Sequence, residues 1–224
     1  MVDSLSSVIR EAYYTPGHEK TLLREGLRKF YVAWQPNNAA EFFKLDPSKA
    51  RTLSEVPAGM SFWPWDYRDP IQLRNERENR KSKDGPSCWG SEKVIDFDWK
   101  FCGPITEKGL EIEVERMARL VSSIRRRGYC RHDNGDGDIR AAVLIHPDGR
   151  WRWFAYSGQH RQAIARVLAG DRIPIRVISF VRRDEAAHWP GVTSGVFDMN
   201  SALKVFDDFF SHSNDYGVDI KKDH

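Results

Sequence analysis

The sequence predicts an α+β fold, because helix-like and strand-like segments both occur in a chain with enough apolar residues to form a core. Of its 224 residues, 40% are hydrophobic and eight are Trp, which is typical of a folded globular protein. Two strand-like segments, 139–146 and 151–156, flank a Pro147-Asp148-Gly149 turn and predict a hairpin. Helical spacing of apolar residues predicts an amphipathic helix through Leu110, Val114, Met117, Val121 and Ile124.

The N-terminal part is predicted to be helical up to about residue 45. Apolar residues space like one helix face before Pro16 and again after it, and 39–43 is predicted as a further short helix. We predict that the aromatic stretch 62–65 packs on the main domain, although it could also line a pocket wall. Residues 71–93 alternate in charge, which is typical of a solvated face or a mobile loop. A contact with a phosphate backbone is the alternative there.

The second half of the chain carries more regular elements. Residues 94–99 alternate in polarity and predict a strand. The amphipathic helix closes with three arginines before Gly128, where cations and a glycine suit a helix C-terminus. A strand is predicted at 173–181, and its Pro174 favours an edge or a strand-start position. The remaining predicted elements are helices at 159–168 and 201–210.

One stretch, 154–161, has the composition of an anion-binding turn. An apolar strand ends in Ser157 and Gly158, and a helix is predicted to begin directly after them. The free N–H groups of a helix start favour anions, glycine permits close approach, and Arg161 adds a charged fork. We therefore expect a phosphate site formed by Ser157, Gly158, Gln159, His160 and Arg161.

Charge, cysteine content and hydropathy exclude several classes of protein. The net charge of +3 is too small to indicate nucleic-acid binding by itself. The widely spaced cysteines, with no CxxC pair, indicate neither a disulfide framework nor a zinc site. No apolar run approaches about 18 residues, and the N-terminus lacks a signal-peptide core. We therefore expect a soluble, cytoplasmic protein without a membrane partner.

Two further clusters are candidates for minor roles. Asp133, Asn134, Asp136 and Asp138 lie in a glycine-rich loop, but the distal Glu that a calcium loop needs is missing. We interpret this cluster as a plain polar loop, with a Mg²⁺ or substrate contact as the alternative, and predict no metal site built from protein residues. Segment 188–195 could cover a pocket or could simply pack as a loop.

Residues 93–181 resemble the ParB/sulfiredoxin superfamily, whose fold is a small α+β domain that holds nucleotide phosphates. On this resemblance, residues 1–92 are a helical and irregular N-terminal extension, and 182–224 are a C-terminal loop and helix packed on the core. The matching pieces come in family order. They are a first strand at 94–97, a Leu-Val-Ser-Ser-Ile helix segment at 120–124, a hairpin, a Gly-Gln-His-Arg box at 158–161 and an Ile-Pro-Ile-Arg-Val strand at 173–177.

Departures from each branch of the superfamily decide which function the resemblance implies. Sulfiredoxins carry a catalytic cysteine between the glycine and the histidine of the box, where this chain has Gln159, and a carboxamide cannot supply a thiolate. Partition-type ParB proteins follow a two-arginine box with a long helix-turn-helix region, whereas one predicted helix follows Val181 here. Nucleic-acid binding is therefore not favoured. The small-molecule kinases, such as the free-serine kinases, conflict least with these residues.

The resemblance to that branch implies phosphoryl transfer from ATP, or another nucleoside triphosphate, with Mg²⁺ to a hydroxyl of a small molecule. It also implies an acidic base near the first helix, where Glu107, Glu111, Glu113 and Glu115 are candidates. Glu113 and Glu115 lie nearest Arg116 and point to different helix faces, so at most one should face a pocket, and we place Glu113 first. His160 is the third catalytic candidate.

Two other functions remain compatible with the sequence. One is a nucleotide-binding regulatory or DNA-associated module without catalysis, and the other is a ParB-like nuclease.

Overall fold

The computed structural model describes residues 2–58, 62–66, 102–129, 139–168 and 173–211. The predicted strand at 94–99, the charged stretch at 71–93 and the loop at 133–138 lie outside these residues. The described parts contain both helices and a sheet, so the α+β class is confirmed.

The predicted helices and strands that fall within these residues have similar bounds, whereas the short helices at 51–54, 183–188 and 190–193 were not predicted. The α-helices are α1 (Val2–Tyr14), α2 (Glu19–Ala33), α3 (Ala39–Phe42), α4 (Arg51–Ser54), α5 (Glu107–Arg127), α6 (Gln159–Leu168), α7 (Pro190–Thr193) and α8 (Met199–Ser211). The strands are β1 (Arg140–Ile145), β2 (Trp151–Ser157) and β3 (Arg176–Arg182), and a 3₁₀ helix spans Arg183–His188. None of the described helices is both long enough and apolar enough to cross a membrane.

Strand β1 lies at the centre of a three-stranded sheet with the order β2-β1-β3. It pairs antiparallel with β2, forming the predicted hairpin, and parallel with β3. Strand β3 begins at Arg176 and not at residue 173, since Pro174 has no N–H to give to a ladder. The N–H of Arg176 makes the first bond, donating to the carbonyl of Ile139 at 2.8 Å.

An aromatic core packs against the sheet, and segment 62–66 lies inside it. The ring centroid of Trp65 lies 5.4 Å from that of Trp189 and 5.9 Å from that of Phe206. Gly191 donates its N–H to a carbonyl of the same segment at 2.8 Å. The stretch 62–65 thus packs on the main body as predicted, and the loop around Trp189 is also a packed element.

A second core is helical and brings the N-terminal helices against the middle of the chain. Helices α1, α2, α5 and α6 share it. Helix α5 packs on both α2 and α6, so its position is determined from two sides. The fully or almost fully buried members of this core include Ile9, Leu23, Leu27, Leu110, Val114, Met117, Val121 and Ile164.

Helix α5 has well-defined ends, which fix where its side chains point. At its start, the hydroxyl of Thr106 accepts a hydrogen bond from the N–H of Gly109 at 3.0 Å, the usual N-cap arrangement. At its end, Gly128 has φ +71° and donates its N–H to the carbonyl of Ile124 at 2.8 Å. The predicted C-terminal glycine is therefore confirmed, since a side chain is strained at this φ.

Gly103 packs directly against the C-terminal part of α2, and we predict that Gly103→Ala destabilises the fold by about 2 kcal/mol, as overpacking does. A Cβ at this position would lie 2.0 Å from the carbonyl oxygen of Tyr31, and the N–H of Gly103 donates to the carbonyl of Trp34 at 2.7 Å. Urea unfolding followed by circular dichroism measures the loss. Gly149→Ala adds a methyl group where no atom lies within 4 Å, but at φ +89°, so it measures the cost of a left-handed conformation without a clash. A wild-type free energy of unfolding in Gly103→Ala would contradict the close approach at Gly103.

Cys102 lies one residue before that contact and is fully buried. Burial raises the pKa of its thiol to about 11. The thiol is therefore protonated at neutral pH and is a poor nucleophile.

Candidate functional site

The connection between β2 and α6 forms the turn that the sequence singled out. Gly158 has φ +83°, a conformation that favours glycine, and α6 begins at the next residue. The first helical bond runs from the N–H of Gln162 to the carbonyl of Gly158 at 2.8 Å. The N–H groups of residues 159–161 therefore have no helical carbonyl to bond. Gly158 has no side chain that could cap them, so the turn presents backbone donors.

Gln159 has a structural role in this turn. Its side-chain amide nitrogen donates to the carbonyls of Ala155 at 3.3 Å and Tyr156 at 3.0 Å. The carboxamide is thereby turned back toward β2 and helps hold the start of α6 against the strand. Of the predicted phosphate-binding residues, Gln159 can contribute its backbone N–H more readily than its side chain.

Unlike the side chain of Gln159, the side chains of Ser157 and Arg161 have polar groups that could bind a ligand. Each side chain is half-buried. Neither the Ser157 hydroxyl nor the Arg161 guanidinium makes a hydrogen bond or ion pair with the residues that the structure describes. A half-buried guanidinium one turn into a helix with open N–H groups has the donors that a phosphate requires.

Glu113 and His160 come together although they lie 47 positions apart in the sequence. The Oε2 of Glu113 on α5 lies 2.7 Å from the Nε2 of His160 in the first turn of α6. The Oε1 of the same carboxylate accepts a hydrogen bond from Arg116 at 2.8 Å. The carboxylate is thus held between an imidazole and a guanidinium.

The Glu113 carboxylate is buried, whereas its two partners reach the surface. Its side chain is 8% exposed, compared with 33% for His160 and 29% for Arg116. A buried charge is tolerated when it is paired, which explains why an acidic residue can lie on the packed side of α5. The contact with His160 is close but is not an aligned hydrogen bond, since the Nε2 hydrogen does not point along the line to Oε2, and it is an ion pair only when the imidazole is protonated.

The other acidic residues of α5 face α2 instead. Glu115 pairs with Lys20 at 2.5 Å and with Arg119 at 3.0 Å, and hydrogen bonding to Lys20, followed by that to Arg119, lowers its pKa. Three ion pairs join the two helices at intervals of one turn on each, namely Lys20–Glu115, Arg24–Glu111 and Arg28–Glu107. Of the candidates for a base, Glu113 is the one that the fold brings to His160.

Arg140 is a candidate binding residue that the sequence analysis missed. It begins β1 directly opposite Ser157 of β2 and Arg176 of β3. Its side chain is exposed and makes no hydrogen bond or ion pair within the described parts of the chain. At this end of the sheet, Arg140 therefore lies beside the strand that leads into the turn, and Arg176 lies on the far side of β1. Only the strand register reveals this, because nothing in the local sequence relates residue 140 to residue 157.

The described residues offer little to hold a metal ion by themselves. Within those ranges, no group of three His, Cys, Asp or Glu side chains could hold one. The loop at 133–138, which was the alternative for a Mg²⁺ contact, lies outside them. A Mg²⁺ ion that arrives with nucleotide phosphates needs few protein ligands.

Comparison of the chain with known protein families, with curated proteins and with solved structures returned no match. The chemistry of the site is therefore argued from its own geometry. A helix start with open N–H groups, an available guanidinium and an acid–histidine pair can bind an anion and move a proton beside it.

Proposed function

We propose that the chain is a nucleotide-dependent phosphotransferase that phosphorylates a hydroxyl of a small molecule. The observation that carries this proposal is the 2.7 Å contact between Glu113 and His160, the latter lying in the first turn of the helix that follows Gly158. An acid–base pair beside an anion-binding turn is what phosphoryl transfer to a hydroxyl needs. Without that pair, the turn would support binding alone.

The phosphates would be held at the turn between β2 and α6. The N–H groups of residues 159–161 and the hydroxyl of Ser157 offer neutral donors. Arg161 offers a bidentate cation, which would neutralise negative charge on the phosphates as the phosphoryl group is transferred. Arg140 of β1 lies opposite Ser157 of β2 and would add a second cation beside the phosphate site.

Mg²⁺ would enter as part of the nucleotide complex. Phosphoryl transfer generally uses a metal ion that bridges the nucleotide phosphates, and Mg²⁺ keeps several water ligands when it binds in this way. The contribution of the chain is therefore to hold the phosphates and not to build a metal cage.

The ParB/sulfiredoxin-like resemblance is part of this proposal and agrees with two local features. Its glycine-x-x-arginine box falls on the turn at 158–161, where an anion site is expected. At the position of the sulfiredoxin nucleophile, the Gln159 amide is bonded back to β2, which favours a structural role at that point. The second feature favours the kinase branch over sulfinic-acid repair.

A thermal-shift panel of ATP, ADP, CTP and GTP with Mg²⁺ tests the phosphate site. A nucleotide at a hundred times its dissociation constant is expected to add about 2.7 kcal/mol to the stability of the wild-type protein. Arg161→Ala is expected to reduce this gain to about 0.3–1.3 kcal/mol, because a hydrogen bond to a charged group contributes about 1.5–3 kcal/mol to affinity.

Arg126→Ala is the matched control for that experiment. Arg126 is exposed in the last turn of α5, about 20 Å along the helix from Glu113, so its loss is expected to leave the nucleotide effect unchanged. If no nucleotide stabilises the wild type, or if both variants respond alike, the phosphate site at the turn is wrong.

Assays of turnover distinguish the kinase from the regulatory module and from the nuclease. With the stabilising nucleotide, the diphosphate should appear only when a hydroxyl acceptor is added, and a library of small polyols and amino alcohols is the first set to screen. Binding without turnover across that library favours a regulatory nucleotide-binding module. Cleavage of DNA with a divalent metal, reduced by Arg161→Ala, would favour the nuclease.

A further inference from the structure

We propose that His160 is the base that accepts the proton of the acceptor hydroxyl, and that Glu113 is a positioning residue that acts through it. This inference rests on the proposed phosphotransferase function and assigns the proton transfer within it. It also changes the order of candidates that the sequence suggested, where Glu113 came first. Both oxygens of the Glu113 carboxylate already face protein groups, whereas Nδ1 of His160 faces none among the described residues.

Glu113 is poorly placed to touch an acceptor. Its Oε1 accepts from Arg116 and its Oε2 lies against Nε2 of His160, so both oxygens face protein groups. With a side chain 8% exposed, an acceptor hydroxyl could reach the carboxylate only by displacing one of these partners. A carboxylate held in this way orients a neighbour more readily than it attacks a substrate.

His160 has the complementary arrangement. Its Nε2 lies 2.7 Å from an oxygen of the carboxylate, and because a carboxylate only accepts hydrogen bonds, a neutral ring that aligns with Glu113 carries its proton on Nε2. Its Nδ1 has no hydrogen-bond partner among the described residues. The ring is 33% exposed. An accessible nitrogen with a lone pair is what a general base requires.

The present alignment of the pair is compatible with this role. Catalytic hydrogen bonds are often poorly aligned in ligand-free proteins and tighten when substrate binds. The imidazole can reorient about its Cβ–Cγ bond as the substrate binds, since χ2 of histidine has a broad range.

The proton and electron balance of the step is simple. Nδ1 of His160 takes the proton of the acceptor hydroxyl as its oxygen forms a bond to the γ-phosphorus of the nucleoside triphosphate. The bond from that phosphorus to the bridging oxygen breaks, and the electron pair leaves with the nucleoside diphosphate. The imidazolium that results lies beside the Glu113 carboxylate, which stabilises its charge, and the proton then passes to solvent.

Glu113→Gln is the sharpest test, because it should invert the tautomer of His160. Arg116 can only donate hydrogen bonds, so the carboxamide oxygen of Gln would stay with Arg116 and its NH₂ group would face His160. That NH₂ would donate to Nε2, and the ring proton would then move to Nδ1. The variant keeps the shape of the site but removes the lone pair that the base uses.

Long-range ¹H–¹⁵N NMR of the His160 ring measures the tautomer without any substrate. Spectra are taken at about pH 9, well above the ordinary histidine pKa of about 6.5. The wild type is expected to carry its proton on Nε2, and Glu113→Gln on Nδ1. Glu115→Gln is the control on the same helix, and it should leave the wild-type tautomer unchanged because Glu115 pairs with Lys20 and Arg119. A wild-type proton on Nδ1, or no change in Glu113→Gln, overturns the inference.

Kinetics test the role of the pair in the reaction. Glu113→Gln is expected to lower kcat by about 100-fold or more, the usual contribution of a general base, while KM for the nucleotide changes less than about threefold. Glu115→Gln should stay within about twofold of wild type. In a His160→Gln background, Glu113→Gln should cause no further loss, because residues that act through one another are not additive. Independent, multiplying losses would overturn the positioning role.

The two measurements keep the inference separate from the proposed function. If the protein transfers no phosphoryl group, the phosphotransferase proposal fails, yet the NMR experiment still decides whether Glu113 positions His160. If transfer occurs but Glu113→Gln raises KM with kcat unchanged, the phosphotransferase stands and this inference is wrong. Circular dichroism confirms that each variant is folded before either result is used.

Discussion

Arg116→Met is expected to lower the free energy of unfolding by about 3 kcal/mol, the lower end for breaking a buried ion pair. The side chain of Glu113 is 8% exposed, and Arg116 donates to its Oε1 at 2.8 Å. Without the guanidinium, the buried carboxylate of Glu113 would still have the imidazole of His160 as its neighbour. An imidazole is charged only when it is protonated. Methionine is chosen because it retains the length of the side chain. Urea unfolding at neutral pH measures the loss.

A second substitution, at Glu113, distinguishes the loss of the Arg116 charge from the loss of its packing contacts. In the double variant Arg116→Met/Glu113→Gln, the buried group is neutral, so most of the lost stability is expected to return. Arg119→Met is the control, since Arg119 lies in the same helix in an exposed pair with Glu115 and should change stability by less than about 1 kcal/mol. If the double variant is as unstable as the sum of the single variants, the effect of Arg116 is one of packing and not of charge.

The same comparison bears on why the chain keeps a buried charge at all. A buried ionic group is weak evidence for stability, because apolar replacements of similar volume are often neutral or stabilising. Local features that oppose stability are expected at functional sites. A Glu113→Gln protein that is as stable as wild type but loses phosphoryl transfer would place this carboxylate in that class.

Local patterns in the sequence were sufficient to predict the elements that depend on neighbouring residues. The spacing of apolar residues predicts the helix that runs through Leu110 and Ile124, and the glycine after three arginines predicts its end at Gly128. The Ser-Gly pair at 157–158 predicts the turn into α6. Strand β3 was predicted three residues too early, because Pro174 interrupts the ladder without interrupting the apolar pattern.

Contacts between distant segments were beyond those patterns. Nothing near Glu113 indicates that its neighbour is His160, and nothing near Arg140 indicates that it begins a strand opposite Ser157. One long-range feature did leave a signal. Cations recur every four residues on α2, and carboxylates recur every four residues on α5. This is the spacing of the three ion pairs that join the two helices.

Phe206→Ala is expected to lower the free energy of unfolding by about 4 kcal/mol, within the range for removing a buried phenylalanine. Phe206 is fully buried, and its ring centroid lies 5.5 Å from that of Trp189, 5.2 Å from that of Phe210 and 5.9 Å from that of Trp65. Its loss would leave a cavity where α8, the Trp189 loop and segment 62–66 meet. Since small proteins have a total stability of about 5–15 kcal/mol, this is a large fraction.

Phe180→Ala is the matched control, because it removes the same ring from a position that is 67% exposed. Its effect is expected to stay within about 0.5 kcal/mol. Near-UV circular dichroism should also lose signal in Phe206→Ala alone, since the tryptophans beside it lose a packing partner. The consequence reaches the site, because Phe154 of β2 packs on this core with its ring centroid 4.4 Å from that of Trp63, and the turn at Gly158 follows β2 directly. Equal, small losses at both positions would mean that the aromatic residues form a surface layer and not the core that holds β2 in place.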